Sequence, residues 1–302
     1  MSDRGYCNTD LQHQYVESLV YSDKSDWKKD IVQKNKSDIR IMTYNVHGFT
    51  DRKMRPTFDE ILDIIQRVNP DILVIEEFVL YGVKRQITYP NFKKWLQKLG
   101  FITITTDRLC NNVLASKFQG DLSPTLELGR DPAHRIYRFA STIKIAGKTI
   151  KRDSDLVVVG THLDVYDESG KTRINQANLI VDCLEDMRVN QELTNDSNSL
   201  VAIVTGDFNC LRRADYDQEQ WAHIATVDAE RGVDSMKSDA VDIFERADLV
   251  DASVCLDNPI TLSVWANRRV DYICGRGINF KKAHTVQNAC SDHYAMYADF
   301  SL

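Results

Sequence analysis

No apolar run in this 302-residue chain approaches the ~20 residues that a membrane-spanning helix needs, so an integral membrane protein is not expected. The opening segment, MSDRGYCNTDLQHQYVESLVYSDKSDWKKD, lacks the apolar stretch of a secretory signal, which points to an intracellular protein. Cysteine never occurs as a CxxC pair: Cys7, Cys110, Cys183, Cys210, Cys255, Cys274 and Cys290 are scattered and odd in number. That pattern argues against a disulfide framework and a structural zinc site, and leaves reduced thiols that pack as small apolar groups. No Gly/Ser-rich linker, repeat or low-complexity tract divides the chain, so one large domain is expected where length alone would allow two. An excess of positive charge is missing too. At a net charge of −6 the protein as a whole does not attract polyanions, and a nucleic-acid substrate would depend on a local basic rim.

Hydrophobic residues make up 43% of the chain, which supplies a sizeable core. Residues 1–38 are polar and weakly periodic and read as an extension with room for one short helix, followed by a domain over 39–302. Ile39–Tyr44 reads as a strand ending at Asn45, and Phe58, Ile61, Leu62, Ile65 and Val68 mark Thr57–Val68 as an amphipathic helix. Pro70 breaks it, and Asp71–Ile75 is an apolar strand ending at Glu76-Glu77. A helix over Phe92–Leu99, stopped by Gly100, feeds a strand at Phe101–Thr106, and Val113–Ala115 is a further short strand. Ile136–Ile145 alternates, turns at Ala146-Gly147-Lys148 and forms a hairpin with Leu156–Thr161, whose end is His162. A helix around Asn175–Arg188 precedes a strand at Leu200–Thr205. From Cys210 to Pro259 no strong strand stands out, and helices around Gln218–Ala225 and Ala240–Ala247 fill an insertion reaching towards the site. Val270–Cys274 and Tyr294–Phe300 complete the strands.

Asn45, Glu77, His162, Asp207, Asn209, Asp271, Asp292 and His293 each lie at or just beyond the end of an apolar strand, and loops at one rim of a sheet are where sites are usually built. Thr205-Gly206-Asp207-Phe208-Asn209 offers a carboxylate and an amide to a hard cation and a phosphate. Ser291-Asp292-His293 sets an ionised oxygen beside a base that titrates near neutral pH. Together they suggest metal-assisted attack of water on a phosphate ester. Singly, each has a plainer account: a solvated charge for Glu77, a turn residue before Gly48 for Asn45, an Asx-turn for Asp207 and Asn209. His47, His134 and His223 are read as satisfying local hydrogen bonds, and His13 and His284 as surface residues.

Six segments occur in order: Ile41-Met-Thr-Tyr-Asn45, Pro70-Asp-Ile-Leu-Val-Ile-Glu-Glu77, Gly160-Thr-His162-Leu, Gly206-Asp207-Phe-Asn209, Arg269-Val-Asp271-Tyr-Ile and Ser291-Asp292-His293. Over about residues 39–302 they resemble the endonuclease/exonuclease/phosphatase superfamily, which includes deoxyribonucleases, tyrosyl-DNA phosphodiesterases, deadenylases, neutral sphingomyelinases and inositol-polyphosphate 5-phosphatases. The resemblance implies a four-layer α/β sandwich, with two packed mixed β-sheets flanked by helices, and a metal-dependent phosphoric ester hydrolase using Mg²⁺, for which Mn²⁺ could substitute. It implies that Glu77, with help from Asn45 and Asp292, binds the metal. Asp207 and Asn209 would orient the attacking water, and His293 would be the catalytic histidine held by Asp271, leaving open whether Asp207 or His293 takes the proton. Glu76 departs from the pattern, which usually has glutamine there. His162, in Thr161-His162-Leu163, resembles the histidine-bearing subgroup rather than the apurinic endonucleases, and would either donate a hydrogen bond to the phosphate or protonate the leaving group. Asn112 and Arg173 are further substrate-binding candidates, though a buried turn amide is the stronger account of Asn112 and a solvated helix face an equal one of Arg173.

Substrate is the open half. Arg52, Lys53, Arg55, Arg85, Arg108, Lys171, Arg173, Arg212, Arg213, Arg268 and Arg269, with Tyr166, Tyr216, Trp221 and Trp265, favour DNA or RNA, including a 5′-tyrosyl adduct. Lipid or inositol-polyphosphate esters are the alternative and a non-catalytic scaffold the remote one; a monomer with no membrane partner is expected.

Overall fold

A computed structural model of the chain describes residues 26–79, 86–107, 109, 111–130, 137–167, 169–193, 200–231, 239–254, 262–264 and 268–302. Cys7, Cys110, Cys255, His13, His134, Arg85, Arg108 and Trp265 lie outside the described residues. The first half of the chain contains β1 (Ile39–Asn45), α1 (Phe58–Val68), β2 (Ile72–Glu76), α2 (Tyr89–Lys98), β3 (Thr103–Thr106), β4 (Val113–Ser116), β5 (Asp121–Leu122), β6 (Leu126–Arg130) and β7 (Tyr137–Ile145). The second half contains β8 (Leu156–His162), α3 (Lys171–Leu193), β9 (Val201–Asp207), α4 (Gln218–Arg231), α5 (Asp239–Arg246), β10 (Val250–Asp251), β11 (Asp271–Arg276), β12 (Asn279–Val286) and β13 (Ala295–Ser301).

The strands form two mixed sheets. One is ordered β12-β13-β1-β2-β4-β3, the other β10-β11-β9-β8-β7-β5 with β6 also on β7. In each sheet one pair is parallel, β1 with β2 and β8 with β9, and the others are antiparallel. Alternation sorts the side chains. Ile41, Ile72 and Val74 pack with Val158, Ile203, Ile273, Met296 and Phe300 between the sheets, whereas Met42, Tyr44, Leu73 and Ile75 pack on the opposite face with α1 and α2. Ala202, Val204 and Val157 likewise turn outward to residues of α3 and α5. The result is helix, sheet, sheet, helix in four layers, as the resemblance implied. Each fully buried Ile, Leu or Phe of this interior contributes roughly 1.5–3 kcal/mol. Residues 26–33 strap the outer face of the first sheet: Trp27 is buried there, and the Tyr297 hydroxyl donates to Asp30 O and accepts from Val32 N, both at 2.8 Å.

The strand and helix positions largely follow the sequence pattern, with physical reasons where they differ. Asn69 caps α1 in the left-handed conformation before Pro70, and Pro90 in the first turn of α2 starts that helix earlier than its apolar spacing alone suggests. The link between β7 and β8 is longer than a tight turn: Gly147–Ile150 forms one helical turn, held by Gly147 N donating to Asp155 Oδ1. The short strands β5, β6 and β10 were not expected, nor was β12. That edge strand carries Lys281, Lys282 and His284 and breaks register between Phe280 and Lys282, which hides its period.

Glycine is required where the sheets and strands come closest. A Cβ on Gly160 would stand 2.9 Å from Val74 Cγ1 in the facing sheet, and one on Gly206, at φ +143°, would stand 1.8 Å from Thr161 O. The C-terminal ends of β1, β2, β8 and β9 and the start of β11 therefore meet along one seam.

Candidate active site

Both sheets supply polar groups to that seam. From the first sheet come Asn45 and Glu77; from the second come His162, Asp207 and Asp271; Asp292 and His293 arrive on the segment entering β13. Asn45 Nδ2 donates to Asp207 Oδ2 at 3.0 Å, so the amide ties one sheet to the other. Its Oδ1 accepts His47 N at 3.1 Å. Asp207 Oδ1 accepts the Asn209 backbone N–H at 2.9 Å, and Asn209 Nδ2 donates to Leu163 O, so the amide braces the loop after β8. Asn209 and Glu77 are both held at left-handed φ, +49° and +51°, a conformation that costs roughly 1–2 kcal/mol for a residue with a Cβ. Such strain turns each chain sharply at a strand end and aims a side chain at the seam.

His293 stands between two carboxylates, Nδ1 2.9 Å from Asp271 Oδ2 and Nε2 3.7 Å from Asp207 Oδ2. Burial opposes its charge, but Asp271 and Asp207 outweigh burial and hold the imidazolium well above the ordinary histidine value. Burial pushes Asp207 up to about 7, with Asp271 and Glu77 adding to the rise and His293 opposing it. Ser263 fixes the approach: its Oγ accepts the N–H groups of Val270 and Asp271 at 3.0 Å, and its carbonyl accepts Tyr294 N at 2.7 Å. Ser291 of the Ser-Asp-His segment anchors rather than reacts, donating to Asn45 O at 2.8 Å.

His162 is 2% exposed, with Nε2 3.5 Å from Asp207 Oδ2 and 3.9 Å from Glu77 Oε1. Its other nitrogen, Nδ1, lies 3.2 Å from Nη1 of Arg138. Burial, then the charges of Arg138 and His293, keep its pKa well below the ordinary value. Sequence reading missed Arg138; the available signal was a single guanidinium inside the alternating strand Tyr137–Ile145. Glu76 is fully buried beneath the site. Thr43 Oγ1 donates to its Oε1 at 2.5 Å, its Oε2 has no partner, and burial raises its pKa well above the carboxylate range.

The other candidates are placed differently. Asn112 is 2% exposed and donates through Nδ2 to Phe139 O at 3.3 Å, while its Oδ1 is buried without a partner. Arg173 is buried at 4%, its Nη1 donating to the carbonyls of Asp164 and Asp167, which shapes the loop after His162. Of the basic residues near the motifs, Arg55, Arg212, Arg268 and Arg269 pair with Asp51, Asp215, Asp228 and Asp251, and Arg213 lies over Trp221. Tyr216 is buried, whereas Tyr166 beside the site loop is 41% exposed.

Donor atoms of Glu77, His162 and Asp207 lie within 4.8 Å of one another, as do those of Asp207, Asp271 and His293. Glu77 and Asp292 are the more exposed carboxylates, with side chains 23% and 29% exposed. Glu77 opens the first of these donor groups to solvent, and its carboxylate is the kind of ligand that a hard divalent cation keeping several waters takes.

The family model described as Endonuclease/Exonuclease/phosphatase family matches residues 42–293. Among solved structures, the human Nocturnin catalytic domain with bound sulfate is 18% identical, with a TM-score of 0.55 over 89% of this chain and 96% of that one. Truncated TDP2 from Caenorhabditis elegans is 17% identical, with a TM-score of 0.55 over 88% and 98%. A mannosyl-6-phosphatase from Bacteroides thetaiotaomicron is 14% identical, with a TM-score of 0.58 over 87% and 100%. No curated protein sequence gives a match.

Proposed function

Given that the chain belongs to the endonuclease/exonuclease/phosphatase family, whose members are phosphoester hydrolases, we propose that it is a Mg²⁺-dependent phosphodiesterase acting on DNA or RNA. The observation that carries this reading is the seam: a carboxylate open to a cation beside β2, and a buried line in which His293, on the segment entering β13, bridges Asp207 and Asp271 of the second sheet, with Asn45 and His162 between them. Glu77 and Asp292, with Asn45, would hold the metal, which when bound supplies charge neutralisation at the phosphate. Asp207 is the proton acceptor in this reading: its raised basicity suits it to take a proton from water, and Asn45 and Asn209 fix both of its oxygens. Asp271 holds the His293 ring, and the imidazolium balances the charge of Asp207. His162 presents Nε2 to the developing negative charge. In this reading Asn112 is a phosphate-side contact, and Arg173 braces the loop that borders the substrate.

Exposed Tyr166 on that loop offers a stacking face to a base. A phosphomonoester substrate is the second reading, favoured by the internal pairing of most nearby arginines among the described residues, which leaves little basic track there for a long polyanion. The test is a panel with Mg²⁺: single- and double-stranded DNA, RNA, a 5′-tyrosyl oligonucleotide, sphingomyelin, and inositol and sugar phosphates. Cleavage of an oligonucleotide that chelation abolishes supports the first reading. Turnover confined to monoesters supports the second.

A further inference from the structure

We infer that Arg138 is a positioning residue that locks His162 in one tautomer, with the proton on Nε2, and so makes His162 a hydrogen-bond donor to the phosphate rather than the acid that protonates the leaving group. The tautomer assignment stands on contacts within the protein alone; its catalytic consequence rests on the function proposed above.

A guanidinium stays charged at every accessible pH, carries only donors, and accepts nothing. Arg138 is 6% exposed, and its Nη1 lies 3.2 Å from His162 Nδ1, so the interaction is a hydrogen bond only when Nδ1 brings a lone pair. A proton on Nδ1 would set N–H against N–H in a site where both residues are buried. The neutral ring then carries its proton on Nε2, the atom that lies 3.5 Å from Asp207 Oδ2 and 3.9 Å from Glu77 Oε1. That nitrogen faces the groups between which a phosphate would sit.

The arrangement opposes the one at His293. There Nδ1 faces the Asp271 carboxylate, which demands an N–H on that atom and favours the doubly protonated ring. One histidine of the seam is backed by an acceptor and the other by a donor, so the two divide the work. His293 carries charge, and His162 carries a fixed dipole. A neutral imidazole that gave up its Nε2 proton would become an imidazolate, far costlier than the neutral ring an imidazolium leaves behind, so His162 serves as a hydrogen-bond donor rather than as the acid. Burial raises the pKa of neighbouring Asp107, and the Arg138 charge opposes that rise, so the carboxyl lies close enough to offset part of the guanidinium charge.

Nitrogen-15 NMR of histidine-labelled protein, free of metal and substrate, tests this directly, with the His162 ring assigned from its loss in His162→Asn. A protonated Nε2 and a bare Nδ1 in the wild type are expected. Arg138→Met should shift the ring towards the other tautomer and lower kcat by ~100-fold with little change in KM, and Arg138→Lys should restore both in part. A wild-type ring protonated on Nδ1 overturns the inference, as does an unaltered tautomer in a folded Arg138→Met. Should Arg138→Met fail to fold, the wild-type spectrum and Arg138→Lys still decide. The expected tautomer in a protein that cleaves no phosphate ester would count against the proposed function and leave the Arg138 assignment standing; the wrong tautomer in an active enzyme would mean the reverse.

Discussion

Asp207 and Asp271 stand directly opposite each other in the β9–β11 ladder, two buried carboxylates in one register pair. Like charges so placed repel. What reconciles them is His293, whose ring nitrogens face the two acids.

Asp207→Asn should separate catalysis from stability. Loss of the proton acceptor is expected to lower kcat at least ~100-fold. A carboxylate whose folded pKa is raised from 3.8 to about 7 costs stability as pH rises through that window, by up to roughly 4 kcal/mol above it. The variant should therefore melt higher than the wild type in metal-free buffer near pH ~8, and the gain should vanish near pH ~4. Melting curves at the two pH values check the sign.

Asp271→Asn should act with the opposite dependence. His293 has its folded pKa raised above 6.5, so its pairing with Asp271 and Asp207 stabilises fully below that pH and fades as pH rises through the folded value. The melting-temperature deficit of the variant should be widest near pH ~6 and narrow towards pH ~9. A deficit that widens with pH would contradict the assignment.

Glu77→Gln should abolish binding of Mg²⁺ in calorimetric titration, and chelation should silence the wild type to the same degree. Mn²⁺ should restore activity to the chelated enzyme, because both ions accept oxygen ligands.

Arg269→Met tests the support behind Asp271. The fully buried guanidinium makes a bidentate pair with Asp251 at 2.6 and 2.7 Å, reaches Asp215 Oδ2 at 3.2 Å, and stacks on Tyr272. Removing it strips buried Asp251 of its cation and leaves Asp215 to Arg212 alone, so a loss of about 3–5 kcal/mol in denaturant unfolding is expected.

Gly206→Ala should be among the most damaging small substitutions. The positive φ of +143° and the 1.8 Å approach to Thr161 O both disfavour a methyl group, and Asp207 follows immediately. Destabilisation well beyond ~1 kcal/mol, with kcat lost in any folded fraction, is expected from urea titration and assay.

The polar residues at strand ends were legible in the sequence because Asn45, His162 and Asp207 close apolar runs of local period, and Asp271 and His293 lead into them. Asn45, Asp207, Asp271 and His293 do converge, and ordered motifs were enough to anticipate it. Arg138 was not legible, since its meaning comes from His162, 24 positions away on a neighbouring strand. The Arg269 pairs span 18 and 54 positions, so that arginine read as part of a basic rim when it is a core anchor. Glu76 showed itself only as a departure from glutamine; its bond to Thr43 joins neighbouring strands of one sheet, and its burial depends on the facing sheet, where Gly206 lies close to it.

Neither sheet owns a complete set of reactive groups, because Asn45 and Glu77 ride on one and His162, Asp207 and Asp271 on the other. Turnover is thus a gauge of how the two slabs are docked. A slip of one slab by a fraction of a residue spacing would leave every helix and strand intact and the spectroscopic fold unchanged, yet part the amide of Asn45 from the carboxylate of Asp207. On gentle heating, inactivation should run ahead of melting.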